Sequence, residues 1–251
     1  MGDMLKFLGS GSAFNAKRGN TSGYMEFAGE LFLFDAGNDV FGKLMKLNLL
    51  EKKARVNIFI THLHSDHVGS LGTIIDYLYF KVYKQDMSNI CVYFPSEAIA
   101  DLLAMQGVPR DHYNLFVNKW DELYLPTLGR KQPEYAFYET GHTANLDYEG
   151  HTNTYSIEFM LENEFSFFYS GDTAEYHEKL QNIYLYDQIY HEVTMMENSD
   201  VHMSYERLLE KTSHLSKEER SRFHLMHLEE EFDIERAKVD GFQIVENIEI
   251  M

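Results

Sequence analysis

The chain is poor in the residues that mark several large classes of protein. It holds one cysteine, Cys91, among 251 residues, so no intrachain disulfide is possible and a disulfide-built secreted scaffold is excluded. Four prolines, no low-complexity run and no internal repeat leave no visible linker. Residues 1–251 are therefore read as a single domain, long enough for a sizeable core. No apolar stretch is long enough to span a bilayer. The opening Met1-Gly2-Asp3-Met4-Leu5-Lys6 lacks the basic start and apolar run of a secretory signal, and Lys6 stands where a myristoylation motif has Ser or Thr. The expectation is a cytoplasmic protein with no membrane partner. Basic residues are scarce: 22 Lys and Arg stand against 40 Asp and Glu, for a formal charge of −18. Such a surface repels a polyanion, so no long nucleic acid is expected as a partner. Bound metal ions would reverse the sign locally and still admit a small phosphate-containing substrate.

What is abundant is metal-ligand chemistry in one short stretch. The apolar run Val56-Asn57-Ile58-Phe59-Ile60 reads as a buried strand and leads straight into Thr61-His62-Leu63-His64-Ser65-Asp66-His67-Val68-Gly69. His62 and His64, two apart on extended backbone, point to the same side. Asp66 and His67 follow where the chain must turn. The pattern suits two neighbouring ions, one taking His62 and His64, the other Asp66 and His67. Imidazole nitrogen and carboxylate oxygen are donors that zinc accepts, and the same donors suit manganese or iron. A merely polar, His-rich loop is the alternative, but four such groups directly after a buried strand are costly to place without a ligand.

Along the rest of the chain, Met4 to Leu8 reads as a first strand running into the small-residue turn Gly9-Ser10-Gly11-Ser12-Ala13-Phe14. That turn could cradle phosphate or simply bring backbone close to the site; no P-loop Lys follows. Arg18-Gly19-Asn20-Thr21-Ser22 offers polar side chains to hold the ligand loops. Tyr24–Phe27 and Glu30–Phe34 form a hairpin through Ala28-Gly29. It ends at Asp35, either a turn residue or a carboxylate behind a metal-binding His, setting its tautomer and basicity. Helical spacing covers Val40–Lys53 and Ser70–Tyr79, and a further helix opens at Pro95 and runs to Met105. Ile90–Phe94 is a strand in which Cys91 reads as a buried small hydrophobe. Gly107–Lys131 reads as irregular, with Tyr113, Phe116, Trp120 and Tyr124 available for core filling, base stacking or a subunit contact. The strand Glu134–Tyr138 leads to His142, a further candidate ligand. Tyr155–Leu161 and Glu164–Tyr169 form a second hairpin, which ends at Asp172. Phe223–His227 is another strand, with His224 read as structural, and Phe242–Ile250 a final edge strand.

The motif His62-x-His64-x-Asp66-His67 resembles the signature of the metallo-β-lactamase superfamily. That resemblance implies an α/β fold, an αββα sandwich of two mixed sheets flanked by helices, with a dinuclear site at one edge. It implies one ion held by His62, His64, His142 and Asp172, and a second by Asp66, His67, Asp172 and His227, with Asp172 shared. The lack of Cys among these positions argues against a zinc β-lactamase. Two ions about 3.5–4 Å apart suit in-line displacement at phosphorus, with Asp66 able to take the nucleophile's proton.

Within that superfamily the chain resembles the tRNase Z branch. His191-Glu192-Val193-Thr194 is similar to its His-Glu-Ala-Thr motif and His202-Met203-Ser204 to its His-Ser-Thr motif, with Val193 and Met203 as departures. The resemblance implies that Glu192 orients His202 and that His202 protonates the leaving oxygen; a neighbouring carboxylate favours the charged imidazole such a donor needs. tRNase Z carries a tRNA-gripping arm between the third and fourth ligand motifs, whereas only 29 residues separate His142 from Asp172 here. The arm-less tRNase Z-like group of cyclic-nucleotide phosphodiesterases, which includes phage anti-Pycsar proteins, matches better. It implies a homodimer with two Zn²⁺ that hydrolyses small 3′,5′-cyclic nucleotides such as cyclic CMP and cyclic UMP, in the host cytoplasm if phage-encoded. A tRNA 3′-end endonuclease, another hydrolase of the superfamily and a non-catalytic binder are the alternatives.

Overall fold

The computed structural model describes residues 4–125, 130–142, 153–161 and 164–249. Two mixed sheets face each other. The first holds six strands in sequence order, β1 (Lys6–Gly9), β2 (Ser22–Phe27), β3 (Glu30–Phe34), β4 (Val56–Phe59), β5 (Ile90–Tyr93) and β6 (Asn114–Phe116). The second holds seven: β7 (Trp120–Leu125), β8 (Arg130–Thr140), β9 (Thr154–Leu161), β10 (Phe165–Tyr169), β11 (Gln188–Glu192), β12 (Phe223–Met226) and β13 (Gln243–Ile244). The β2–β3 hairpin closes through Ala28 and Gly29, both at positive φ (51° and 78°), as the tight turns matched to strand twist require. From β3 to β6 and from β10 to β13 the strands run parallel. Such strands are covered on both faces, which is why β3, β4 and β5 are buried at every residue.

Between the sheets lies an aromatic core. Phe34 meets Phe159 and Phe167 edge-on at 5.7 and 5.2 Å, and Phe59 stacks on Tyr93 at 4.3 Å. The same core takes in the apolar faces of helices α1 (Val40–Lys46), α3 (Leu71–Tyr77) and α4 (Ala98–Met105); the one-turn helix α2 (Ser65–Val68) precedes α3. A second cluster packs Leu208 of α5 (Tyr205–Lys211) and Ala237 of α7 (Ile234–Asp240) with Phe168, Ile189, Phe223 and Leu225 of the second sheet; α6 (Lys217–Arg220) opens on a capping box at Ser216 and Glu219. Among the described residues no helix is long and apolar enough to cross a membrane.

The structure corrects four expectations. The helix read over Val40–Lys53 stops at Lys46: Asn48 takes a left-handed φ of 55° and turns the buried Leu49 and Leu50 back onto the core. The helix read to Tyr79 is α-helical only to Tyr77 and continues as a π-helical turn, Leu78–Val82. The stretch read as irregular supplies β6 and β7, strands at the sheet edges, although residues 126–129 lie outside those described. The expected final strand is two residues long; beyond it the chain crosses to the first sheet, where Asn247 bridges Phe7 and Ile248 N donates to Phe7 O.

Strand direction gathers the candidate site residues. β8 and β10 both run antiparallel to β9, so they share one direction, and β11 and β12 continue it. The C-terminal ends of β8, β10, β11 and β12 therefore lie along one edge. The ends of β3 and β4 meet them: Tyr155 N donates to Thr61 O at 2.9 Å across the two sheets.

Candidate metal centre

All seven donors named from the sequence come together at that edge. They fall into two clusters: His62, His64 and His142, and Asp66, His67, Asp172 and His227. In the first, His64 Nδ1 lies 3.0 Å from His62 Nε2 and 3.3 Å from His142 Nε2. In the second, His67 Nε2 is 3.3 Å from Asp66 Oδ2 and 3.4 Å from Asp172 Oδ1, while His227 Nε2 is 3.5 Å from Asp66 Oδ2. Asp172 stands between them. Its Oδ2 is 3.9 Å from His62 Nε2, 3.7 Å from His142 Nε2 and 3.4 Å from His227 Nε2. Donors at bond lengths of about 2.0–2.1 Å around a tetrahedral ion stand about 3.3 Å apart, and the observed spacings centre on that value.

The outward-facing nitrogens of His62, His67 and His142 are engaged so that their inward ones stay available. Asp35 accepts from His67 Nδ1 at 2.9 Å, from Thr61 N at 2.8 Å and from the Thr61 hydroxyl at 3.0 Å, with Tyr169 OH at 3.3 Å. Having given its proton to Asp35, the Thr61 hydroxyl accepts from His62 Nδ1 at 3.1 Å. One buried carboxylate thus orients a histidine in each cluster. His142 Nδ1 donates to the Val201 carbonyl at 2.6 Å. The remaining Nε2 atoms of His67 and His227 are buried and have no hydrogen-bond partner. Two buried polar atoms left bare cost free energy, and a cation between the donors would satisfy both. The donor set fits a pair of divalent ions.

The local backbone is shaped for this. Asp35 and His227 adopt left-handed φ values of 62° and 59°, strained conformations of the kind that cluster at functional sites. Gly171, at φ 59°, precedes Asp172; a Cβ there would lie 2.7 Å from Tyr155 O and 2.9 Å from Thr61 Cβ. The Arg18–Ser22 stretch, read from the sequence as able to hold the metal-ligand loops, holds the turn after β3: Asn20 Oδ1 accepts from Asn38 N, and the Ser22 hydroxyl donates to Asp35 O. The turn before it is tight: Gly11 N donates to Gly19 O and Ser12 N to Leu228 O.

Beside the clusters lies a second dyad. His202 Nδ1 is 3.0 Å from both Glu192 oxygens and 3.9 Å from Asp172 Oδ2. Glu192 is fully buried and also accepts from Thr173 N at 2.6 Å. Burial works against charge on His202, but the hydrogen bond and charge of Glu192, with the charge of Asp172, outweigh it and push its pKa up to about 9. Burial and the charge of His67 hold His62 well below its ordinary value, and burial holds His142 down at about 4. His67 and His227 move the other way: burial opposes their charge, but Asp172 leads the surrounding carboxylates in raising both. His224 is not part of the cluster; its ring packs on Tyr190 at 5.3 Å. Of the four aromatics left open in the sequence, Tyr113 is fully buried in the core and Trp120 is exposed. The parts played by Thr61 and the Val201 carbonyl were not read from the sequence; a Thr directly before the His-x-His pair was the available signal for the first.

Comparison with known proteins shows the family and the fold. The profile of one family, described as Anti-Pycsar protein Apyc1, matches residues 4–251. The Anti-Pycsar protein Apyc1 of Bacillus phage 010DV004 is 25% identical over 245 residues, covering 89% of this chain and 88% of that one. A Ribonuclease Z of Methanococcus maripaludis is 34% identical over 105 residues, 41% of this chain; the match spans about a third of that protein's length, 33%. The crystal structure of the metallo-β-lactamase fold protein YhfI from Bacillus subtilis superposes with a TM-score of 0.69 at 15% identity, covering 97% of this chain and 96% of that one. The two flanked mixed sheets are a metallo-β-lactamase fold.

Proposed function

The chain belongs to the anti-Pycsar Apyc1 family, and from that membership and the geometry of the strand-end site we propose that it hydrolyses 3′,5′-cyclic mononucleotides, cyclic CMP and cyclic UMP among them, to 5′-monophosphates, and so suppresses Pycsar antiphage signalling. The observation that carries this reading is the Glu192–His202 dyad set against Asp172 at the edge of the donor clusters. A proton donor there has a duty when an alkoxide leaves phosphorus and none when a thiolate leaves a thioester. The short span between His142 and Asp172 supports a small substrate, since most of its described part is taken up by β9 and β10. So does the charge of −18, which repels a polynucleotide. The homodimer rests on the family resemblance alone.

His62, His64, His142 and Asp172 would hold one divalent ion, and Asp66, His67, Asp172 and His227 the other; zinc suits these donors, as do manganese and iron. When bound, the pair would neutralise phosphoryl oxygens and lower the pKa of water. With two carboxylate donors against two divalent ions the donor shell itself would be net positive, offset in part by Asp35 and Glu192 behind it, so an anionic phosphodiester would meet less repulsion there than elsewhere on an acidic protein. Asp66 takes the proton of the attacking water. Water's oxygen bonds to phosphorus as the bond to O3′ breaks. Glu192 holds the His202 ring by Nδ1, which leaves Nε2 to give its proton to the departing O3′. The products are balanced: one 5′-monophosphate with a free 3′-hydroxyl.

Purified protein assayed on cyclic CMP, UMP, AMP and GMP should yield the 5′-monophosphates, and turnover of none of them would end the reading. The second reading, a tRNA 3′-end endonuclease, draws on the local Ribonuclease Z match; cleavage of pre-tRNA faster than any cyclic nucleotide would favour it.

A further inference from the structure

Loop 195–203 leaves the second sheet after Thr194 and returns at Ser204, the two residues forming a parallel bridge. Thr194 N donates to Met203 O and Tyr205 N to Thr194 O, both at 2.8 Å. Met203, fully buried, anchors the return, whereas Met196 and Val201 expose their side chains. Backbone bonds thus close the base of the loop, and its outer part is tied by bonds between side chains and backbone. Two consecutive residues of it face the site with different tasks. The Val201 carbonyl accepts from His142 Nδ1 at 2.6 Å, and His202 Nδ1 sits on Glu192 at 3.0 Å. Their amides converge on one hydroxyl: Ser199 Oγ accepts from His202 N at 2.9 Å and from Val201 N at 3.4 Å.

A carbonyl has no proton to give, so Val201 O fixes the hydrogen of His142 on Nδ1 and turns the Nε2 lone pair toward His64 and Asp172. We propose that the Ser199 hydroxyl is a positioning residue that couples cation retention at His142 to proton donation by His202. The carbonyl and the imidazole belong to neighbouring residues of one turn, pinned by one acceptor. A shift of that turn lengthens the His142 bond and moves the His202 ring on Glu192 together. This rests on the proposed roles of His142 as a ligand and His202 as the proton donor.

Ser199→Ala and Ser199→Thr test it, with His142→Ala and His202→Ala as references. One measurement is the metal retained per chain against a graded series of chelator. The other is the ratio of turnover on a 3′,5′-cyclic nucleotide, whose alkoxide needs a proton to leave, to turnover on a p-nitrophenyl phosphodiester, whose phenolate leaves without one. Loss of an orienting partner costs a metal-binding histidine on the order of 10-fold or more in affinity, and loss of a well-placed acid about 100-fold or more in rate. For Ser199→Ala the expectation is an approximately 10-fold weaker hold on one of two ions and a fall of about 10-fold in the turnover ratio. Ser199→Thr, which keeps the hydroxyl, restores both. Ser199 is half-exposed in a loop, so the melting temperature of the alanine variant should stay at the parent value. The coupling is overturned if either quantity is unmoved in Ser199→Ala, or if Ser199→Thr behaves as the alanine variant does. If instead His142→Ala keeps both ions, or His202→Ala keeps the parent ratio, the assigned roles themselves fall, whatever Ser199 does.

Discussion

Replacing Asp35 by Asn changes one buried atom and should weaken the hold on both ions unequally. The Asp35 carboxylate accepts bonds from His67 Nδ1, Thr61 N and the Thr61 hydroxyl. An asparagine oxygen can keep the two Thr61 bonds through Oδ1. Its NH₂ then faces His67 Nδ1–H, donor against donor. The imidazole escapes by moving its hydrogen to Nε2, the atom that lies 3.3–3.4 Å from Asp66 and Asp172. That places a hydrogen where the lone pair for a cation should be. Loss of such an orienting partner costs about 10–100-fold in metal affinity, or roughly 1.4–2.7 kcal/mol. The ion of Asp66, His67 and His227 should bear it. His62, reached only through the Thr61 hydroxyl, should keep its tautomer and hold the other ion nearly as before. Competitive titration of the metal-free variant against a chromophoric chelator should resolve one weakened ion and one little changed. A folded Asp35→Asn protein that binds both ions as tightly as the parent would refute the assigned role of this carboxylate.

Four further outcomes follow from the same structure. Loading the metal-free protein should release protons, because Asp172 and its neighbours favour the protonated forms of His67 and His227 and a cation competes with those protons; calorimetric titrations in buffers of different ionisation enthalpy measure them. His191 is fully buried, and burial pushes its pKa down to about 4 from 6.5, so the unfolded chain binds the extra proton; its contribution is whole above about pH 6.5 and is lost as pH falls toward 4, up to about 3 kcal/mol. Urea midpoints for the parent should therefore fall more steeply across that window than for His191→Leu. Burial also pushes the Cys91 thiol up to about 11, so at pH 8 a thiol reagent should label it only after denaturation. Gly171→Ala would force a left-handed φ on a residue with a Cβ and press it against Tyr155 O, for a loss of about 1–2 kcal/mol or more in urea melts.

The parts of this molecule that could be read from sequence are those where chemistry is dense along the chain. Four donor groups within the His62–His67 stretch, directly behind a fully buried strand, are legible because nothing else explains their cost. His142, Asp172 and His227 are single residues at separate strand ends, and only resemblance to a family joined them to that loop. Thr61 and Val201 escaped notice for another reason: one acts through a shared hydroxyl and the other through its backbone, so residue type carries little of the signal. The errors in the fold have equally local causes. Apolar spacing runs on past Lys46, but Asn48 turns left-handed and ends α1. The short strand β6 and the charged start of β7, Asp121 and Glu122, hide edge strands whose pairing is long-range.

The distribution of donors between the sheets makes the site a product of the core rather than of its loops. His62, His64, Asp66 and His67 follow β4 of the first sheet, while His142, Asp172 and His227 follow β8, β10 and β12 of the second. Neither half alone offers a complete set of donors to two ions. Their spacing is set by how far apart the sheets stand, and that distance is held by Phe34, Phe59, Phe159 and Phe167 meeting at 5.2–5.9 Å. Asp35 and Tyr169 carry the same join to the edge, a carboxylate from one sheet accepting from a phenol of the other. A close-packed interior transmits small volume changes rather than absorbing them. Substitutions deep between the sheets, far from any donor, therefore act on the donor-to-donor distances directly, and cation affinity becomes a measure of core packing as much as of the ligands themselves.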